Sequence, residues 1–280
     1  MTTMSAVEHV ELNDGNRIPA IGFGTFPHHG DDSEVTALRA LEFGYRLLDT
    51  ALSYGNEAAV GRAIARSEVP REDIVLTTKL PGRHHGYKEA RRGFYESLEN
   101  LQLDYVDLYI IHWPLPRLNK YAETWQMLAE LKQEGLIRSI GVSNFTPEHI
   151  ERLISETGAV PSVNQIELHP YFPQQDQRDF HARHGIVTES WSPLGRGGDL
   201  LADPSILAIA AEHGVSPAQV ILRWHVQLGA VPIPKSADPS RQRQNLDIFG
   251  FALDEVQMKA ITSLEQGRIW HQDPDEYEEF

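Results

Sequence analysis

A chain of 280 residues, 41% hydrophobic and 23% charged, is long enough to bury a large core. It has no cysteine, which excludes disulfides, thiolate nucleophiles and zinc–thiolate sites and suits a reducing compartment. A formal net charge of −15, with no basic stripe interleaved with aromatics, argues against a nucleic-acid partner.

Residues 1–15 lack the apolar core of a signal peptide, and no run reaches membrane-spanning length. A cytoplasmic protein without a membrane partner is therefore expected. Residues 9–22 predict two short strands around the turn residues Asn13, Asp14 and Gly15. Eight apolar runs rich in β-branched residues then mark strands at 20–25, 46–51, 74–80, 106–113, 137–145, 162–169, 186–193 and 230–236. Amphipathic stretches lie between them, among them 32–44, 87–101, 121–135 and 146–158. Their apolar residues recur every three or four positions, and several end in glycine, a common helix stop.

Strands alternating with helices pair in parallel through right-handed crossovers. Eight such units without a linker or a shift in composition predict one α/β domain over residues 1–280. Its expected architecture is a (β/α)8 TIM barrel, for which roughly 250 residues is typical. The N-terminal hairpin would cap the barrel bottom. The acidic tail from Arg268 to Phe280 would lie as a loop over the active-site face.

Catalysis in such barrels happens at the carboxyl ends of the strands. There the second run ends in Asp49, with Tyr54 just beyond; the third ends in Lys79 and the fourth in His112. Charged groups at the edge of an apolar core are costly unless paired, so Asp49 and Lys79 are natural partners. An ammonium held beside a tyrosine stabilises its anion and lowers its pKa. Tyr54 could then give a proton to a carbonyl oxygen as hydride reaches the carbon, with His112 orienting that oxygen. No metal-ligand cluster is evident. The paired histidines His28–His29 and His84–His85 are a weak ligand pattern, better read as polar contacts at the pocket mouth, and His169 reads as structural.

Over nearly its whole length the chain resembles the aldo-keto reductases. The matching stretches are 47–64, 74–80, 106–114, 137–145, 164–171, 190–197 and 233–245, and Trp191 makes it most similar to the bacterial 2,5-diketo-D-gluconate reductase branch. The resemblance implies a catalytic tetrad of Asp49, Tyr54, Lys79 and His112, metal-free hydride transfer from NADPH, a small-molecule carbonyl substrate and a monomer. It further implies that Ser143, Asn144 and Gln165 hold the nicotinamide carboxamide and that Trp191 stacks on the ring. Leu194 and Gly195 would follow the pyrophosphate, Lys235, Ser236 and Arg241 the 2′-phosphate, and Gln244 and Asn245 the adenine.

The residues themselves support that cofactor placement. Gly22-Phe23-Gly24 lacks the third glycine of a Rossmann fingerprint, whereas barrels often bind phosphate at the loops after strands seven and eight. Lys235, Arg241 and Arg243 cluster there in an otherwise acidic chain, and an arginine fork suits a phosphate dianion. Gln244 stands where the family commonly has glutamate, and Leu80-Pro81 where many members have an aromatic wall. Phe26, His28, Trp113 and Trp270 are the expected substrate-pocket residues. Two other functions fit fewer features: a Schiff-base aldolase using Lys79, and an NADPH-binding regulatory subunit with little turnover.

Overall fold

The apolar runs become strands that pair side by side in chain order. The computed structural model describes residues 7–27 and 30–279, the side chain of Asp31 excepted. The short strands β1 (His9–Glu11) and β2 (Arg17–Pro19) form an antiparallel pair. The main sheet runs β3 (Phe23–Gly24), β4 (Leu47–Asp49), β5 (Val75–Leu80), β6 (Val106–Ile111), β7 (Ile137–Ser143), β8 (Val163–Glu167), β9 (Val187–Trp191) and β10 (Ala230–Pro232). Its spatial order is the chain order and every pair is parallel.

Parallel strands covered on both faces read as continuous apolar runs, and β5 and β6 are buried over nearly their whole length. The sheet curls as in a (β/α)8 barrel. Gly22 N–H donates to the Pro232 carbonyl and Gly24 N–H to that of Pro234, both at 3.0 Å, so backbone bonds tie the first strand to the last. A Cβ on Gly22 would stand 2.6 Å from Ile233 Cδ1, which explains glycine at this close approach.

Helices α1 (Gly30–Phe43), α2 (Glu57–Arg66), α3 (Tyr87–Leu101), α4 (Tyr121–Gln133), α5 (Pro147–Thr157) and α6 (Gln175–His184) connect successive strands. Between β9 and β10 there are two helices, α7 (Pro204–His213) and α8 (Pro217–Gln227); α9 (Pro239–Leu246) and α10 (Glu255–Thr262) follow the last strand. Local chemistry fixes several starts. Thr146 and Ser216 cap α5 and α8 through reciprocal capping boxes with proline next in line. Among the described residues no single helix is long and apolar enough to cross a membrane.

The turn of the antiparallel pair packs against the starts of β7 and β8. Asn16 Nδ2 donates to the Arg138 carbonyl at 3.1 Å, and Lys132 and Ser162 both reach the Asp14 carboxylate. At the opposite ends of the strands lies the tail. Tyr277 stacks on Trp113 at 4.3 Å, Arg117 pairs with Glu278 at 3.5 Å, and His149 lies 3.2 Å from Asp275.

Candidate active site

Three consecutive strands and one short turn bring the predicted polar residues together. Asp49 ends β4, Lys79 is the penultimate residue of β5, His112 follows β6, and Tyr54 ends a 3-10 turn after β4. Lys79 is completely buried, a position a lysine holds only when every N–H is satisfied. Its Nζ lies 2.6 Å from Asp49 Oδ1, 2.9 Å from the Thr50 carbonyl and 3.5 Å from the Tyr54 hydroxyl. Burial works against the ammonium, but Asp49 and Tyr54 outweigh it and hold Lys79 above its ordinary pKa, so it stays charged.

Tyr54 departs from expectation in one respect. Burial pushes its hydroxyl above the ordinary tyrosine range; Lys79 pulls it down as anticipated, and Asp49 pushes it up again. In this state Tyr54 is a firmly protonated donor. It gains acidity only when a ligand takes up its proton or alters the surrounding charge. Its ring packs 4.9 Å from Phe26 and edge-on to His112 at 5.8 Å.

Asp49 uses its second oxygen as well. Gln165 Nε2 donates to Asp49 Oδ2 at 2.8 Å and to Glu189 Oε2 at 2.9 Å. The flipped amide would set its oxygen against the Asp49 carboxylate, which favours this orientation. Both amide hydrogens are thereby spent, and toward a ligand Gln165 can only accept. Glu189 lacks any mark of its own in the sequence beyond being a carboxylate inside an apolar run. It is fully buried, and burial together with the Asp49 charge pushes it up to about 7.

Around this centre sits the cofactor candidate set. Ser143 Oγ donates to the Gln165 carbonyl at 2.8 Å, and Asn144 Nδ2 to the His112 carbonyl at 3.1 Å. Asn144 has a left-handed backbone (φ 63), which asparagine tolerates better than most residues. Its Oδ1 accepts from Trp191 Nε1 at 2.7 Å, fixing the indole. Beyond Leu194, the loop holds Gly195, Arg196, Gly197 and Gly198 at positive φ, a conformation that can turn successive N–H groups toward an anion. Lys235, Arg241 and Gln244 are exposed, whereas Ser236 and Asn245 are buried beneath them. Arg243 instead stacks on Phe43 at 4.1 Å. An amide acceptor, a fixed indole face and exposed cations are the chemistry that suits a nicotinamide dinucleotide phosphate.

The substrate-pocket set divides. Phe26 packs against Tyr54, and Trp113 against Tyr277 of the tail. His28 lies outside the described residues. Trp270 stands 6.4 Å from Trp191, with the Arg196 guanidinium 3.4 Å above its ring. His84 and His85 are not polar contacts at a pocket mouth. Both are buried, His84 Nε2 lies 3.1 Å from Glu96 on α3, and desolvation lowers His85 to about 4. His169 is buried and its Nε2 lies 3.0 Å from Glu167 Oε1.

Two tail residues enter the site without any sequence signal. Glu279 Oε1 lies 2.5 Å from His112 Nδ1, and its Oε2 accepts the Gly82 N–H at 2.9 Å. With Tyr277, Ser53, Pro81 and Arg83 it lines a cavity of about 470 Å³. Among the described residues no group of three or more His, Asp or Glu is placed to hold a metal ion.

A family model described as the aldo/keto reductase family matches residues 20–266. The chain is 51% identical to 2,5-diketo-D-gluconic acid reductase B of Corynebacterium sp., covering 99% of this chain and 100% of that protein. It is 44% identical to the methylglyoxal reductase DkgA of Escherichia coli, covering 96% and 97%. Among solved structures, a mutant of Gox0644 in complex with NADPH superposes with a TM-score of 0.94 at 44% identity, over 98% of this chain and 100% of that one. The chain belongs to the aldo/keto reductase family. It is an NADP-dependent oxidoreductase.

Proposed function

We propose that the protein reduces small ketones and aldehydes to alcohols, with Tyr54 as general acid. The observation that carries this reading is the buried chain from Asp49 Oδ1 to Lys79 Nζ at 2.6 Å and on to the Tyr54 hydroxyl at 3.5 Å. NADPH, when bound, supplies a hydride to the carbonyl carbon. Tyr54 gives its proton to the carbonyl oxygen, and the tyrosinate left behind is stabilised by the Lys79 ammonium. Asp49 keeps that ammonium charged and in place. His112 hydrogen-bonds the carbonyl oxygen and turns it toward Tyr54.

Gln165, Ser143 and Asn144 would hold the nicotinamide carboxamide and Trp191 would cover the ring. Leu194 and Gly195 would follow the pyrophosphate, Lys235, Ser236 and Arg241 the 2′-phosphate, and Gln244 with Asn245 the adenine. The hairpin would close the amino-terminal end of a single barrel domain, and the tail would cover the catalytic end. A Schiff-base role for Lys79 is disfavoured, since its hydrogens are committed to Asp49, Thr50 and Tyr54 and it stays charged.

Keto-sugar acids such as 2,5-diketo-D-gluconate and small dicarbonyls such as methylglyoxal are the substrate classes favoured by the relatives' names. NADPH consumption with each, compared as kcat/KM, tests the reading. Saturable turnover of at least one is expected, and no turnover of any carbonyl offered would refute it.

A further inference from the structure

Asp49 and Lys79 stand 2.6 Å apart and cancel each other's charge. The charge that an incoming carbonyl compound meets is therefore set by the cavity beside His112. That cavity, of about 470 Å³, is lined by Ser53, Pro81, Arg83, Tyr277 and Glu279. Ser53 ties it to the reaction centre: it precedes Tyr54, and its hydroxyl stands 3.3 Å from His112 Nδ1.

One cation and one carboxylate share this lining, and they are not equivalent. The Arg83 side chain is 49% exposed and its Nη2 lies 3.6 Å from Glu96, so water screens its charge and a partner already answers it. The Glu279 side chain is only 13% exposed. A charge drawn out of water acts over several ångströms with much less screening, so the carboxylate outweighs the arginine.

The carboxylate is also held in place. Its Oε2 accepts the Gly82 N–H at 2.9 Å, while Tyr277 on Trp113, Glu278 with Arg117 and Asp275 with His149 pin the segment around it. Its Oε1, buried 2.5 Å from His112 Nδ1, has no hydrogen-bond partner, which leaves that oxygen's charge unspent. Burial works against ionisation, but His112, the Gly82 N–H and Ser53 together outweigh it and hold the carboxyl below its ordinary range.

We propose that Glu279 is a specificity-determining residue: its fixed negative charge beside His112 turns away carbonyl compounds that carry a carboxylate and leaves the site to uncharged ones. An anion entering the cavity meets a like charge within a few ångströms, whereas a neutral molecule of the same shape does not. This selection rests on the reductive reading above and chooses between its two substrate classes, neutral dicarbonyls over keto-sugar acids.

The test uses two probes with the same reacting aldehyde, 4-oxobutanoate and its methyl ester, which differ by one negative charge. The ratio of their kcat/KM values with NADPH is measured in the unaltered protein, in Glu279→Gln and in Glu278→Gln. The unaltered protein should favour the ester by about tenfold, the scale of one poorly screened like-charge contact. Glu279→Gln keeps the size of the side chain and an acceptor for Gly82, and its ratio should move close to one. Glu278→Gln makes the same change in net charge one residue away and should leave the ratio of the unaltered protein.

A preference of the unaltered protein for the carboxylate would overturn the proposal. So would an unchanged ratio in Glu279→Gln, including a variant that loses both activities in equal proportion through a loosened tail. An equal shift in Glu278→Gln would assign the effect to net charge and also refute it. If the ester is reduced and the ratio does not respond to Glu279, only the selectivity role fails; if neither probe nor any other carbonyl is reduced, the reductive reading itself fails.

Discussion

Gln165 Nε2 donates to Glu189 Oε2 at 2.9 Å across the paired strands β8 and β9, with both side chains out of solvent. Through the same nitrogen Gln165 also holds Asp49, so the buried ion pair at the barrel's centre leans on a second carboxyl. That carboxyl need not be charged to accept a hydrogen bond. Kept protonated, it spares the core a second negative charge beside Asp49.

This protonation should be visible in stability. Glu189 is raised from an ordinary 4.5 to about 7, first by burial and then by Asp49. Between those values the unfolded chain has released the proton while the folded protein keeps it. Stability from this group is therefore full at low pH and falls through that window, by roughly 3 kcal/mol. Glu189→Gln preserves an acceptor for Gln165 and removes the titration. Urea unfolding across the window should show a shallower decline in the variant; parallel curves would contradict a proton held at Glu189.

Lys79→Met tests the ion pair. It leaves Asp49 as an uncompensated buried charge, and such losses cost about 3–5 kcal/mol. The double variant Asp49→Asn with Lys79→Met removes both charges and should regain most of that stability without regaining turnover. Unfolding midpoints and NADPH oxidation rates on the same samples separate the two effects. A single variant as stable as the parent would mean that Asp49 is supported mainly by Gln165.

Arg241→Ala addresses the exposed cations after β10. If Arg241 meets the 2′-phosphate, its loss should weaken NADPH binding at least tenfold, the scale of one charge-assisted contact, and change NADH binding little. Quenching of tryptophan fluorescence on titration reads both. Equal losses for the two cofactors would remove Arg241 from the phosphate site.

The strands and the ion pair were legible because they obey local rules. Each run of β-branched residues became a strand, and Asp49, Lys79 and His112 stood out as polar residues where apolar runs stop. Trp191 and Asn144 were identifiable individually, but their mutual hydrogen bond depends on a left-handed backbone at residue 144 that composition does not reveal. Glu189 and Glu279 were invisible for opposite reasons. One is a lone carboxyl whose meaning depends on its inward register beside Gln165. The other lies in an acidic tail where Glu276, Glu278 and Glu279 look alike until the chain is folded across His112. His84 and His85 misled because adjacency in a loop says nothing about burial: both are buried, and His84 packs against Gly93 of α3.

The central claim is that Tyr54 supplies the proton. Tyr54→Phe removes one oxygen and leaves the ring packed between Phe26 and His112, so the fold and NADPH binding should persist. The decisive measurement is single-turnover NADPH oxidation with methylglyoxal in this variant. The expected result is a rate reduced by about 10²- to 10⁴-fold with cofactor affinity nearly unchanged. A rate equal to that of the unaltered protein would contradict the assignment.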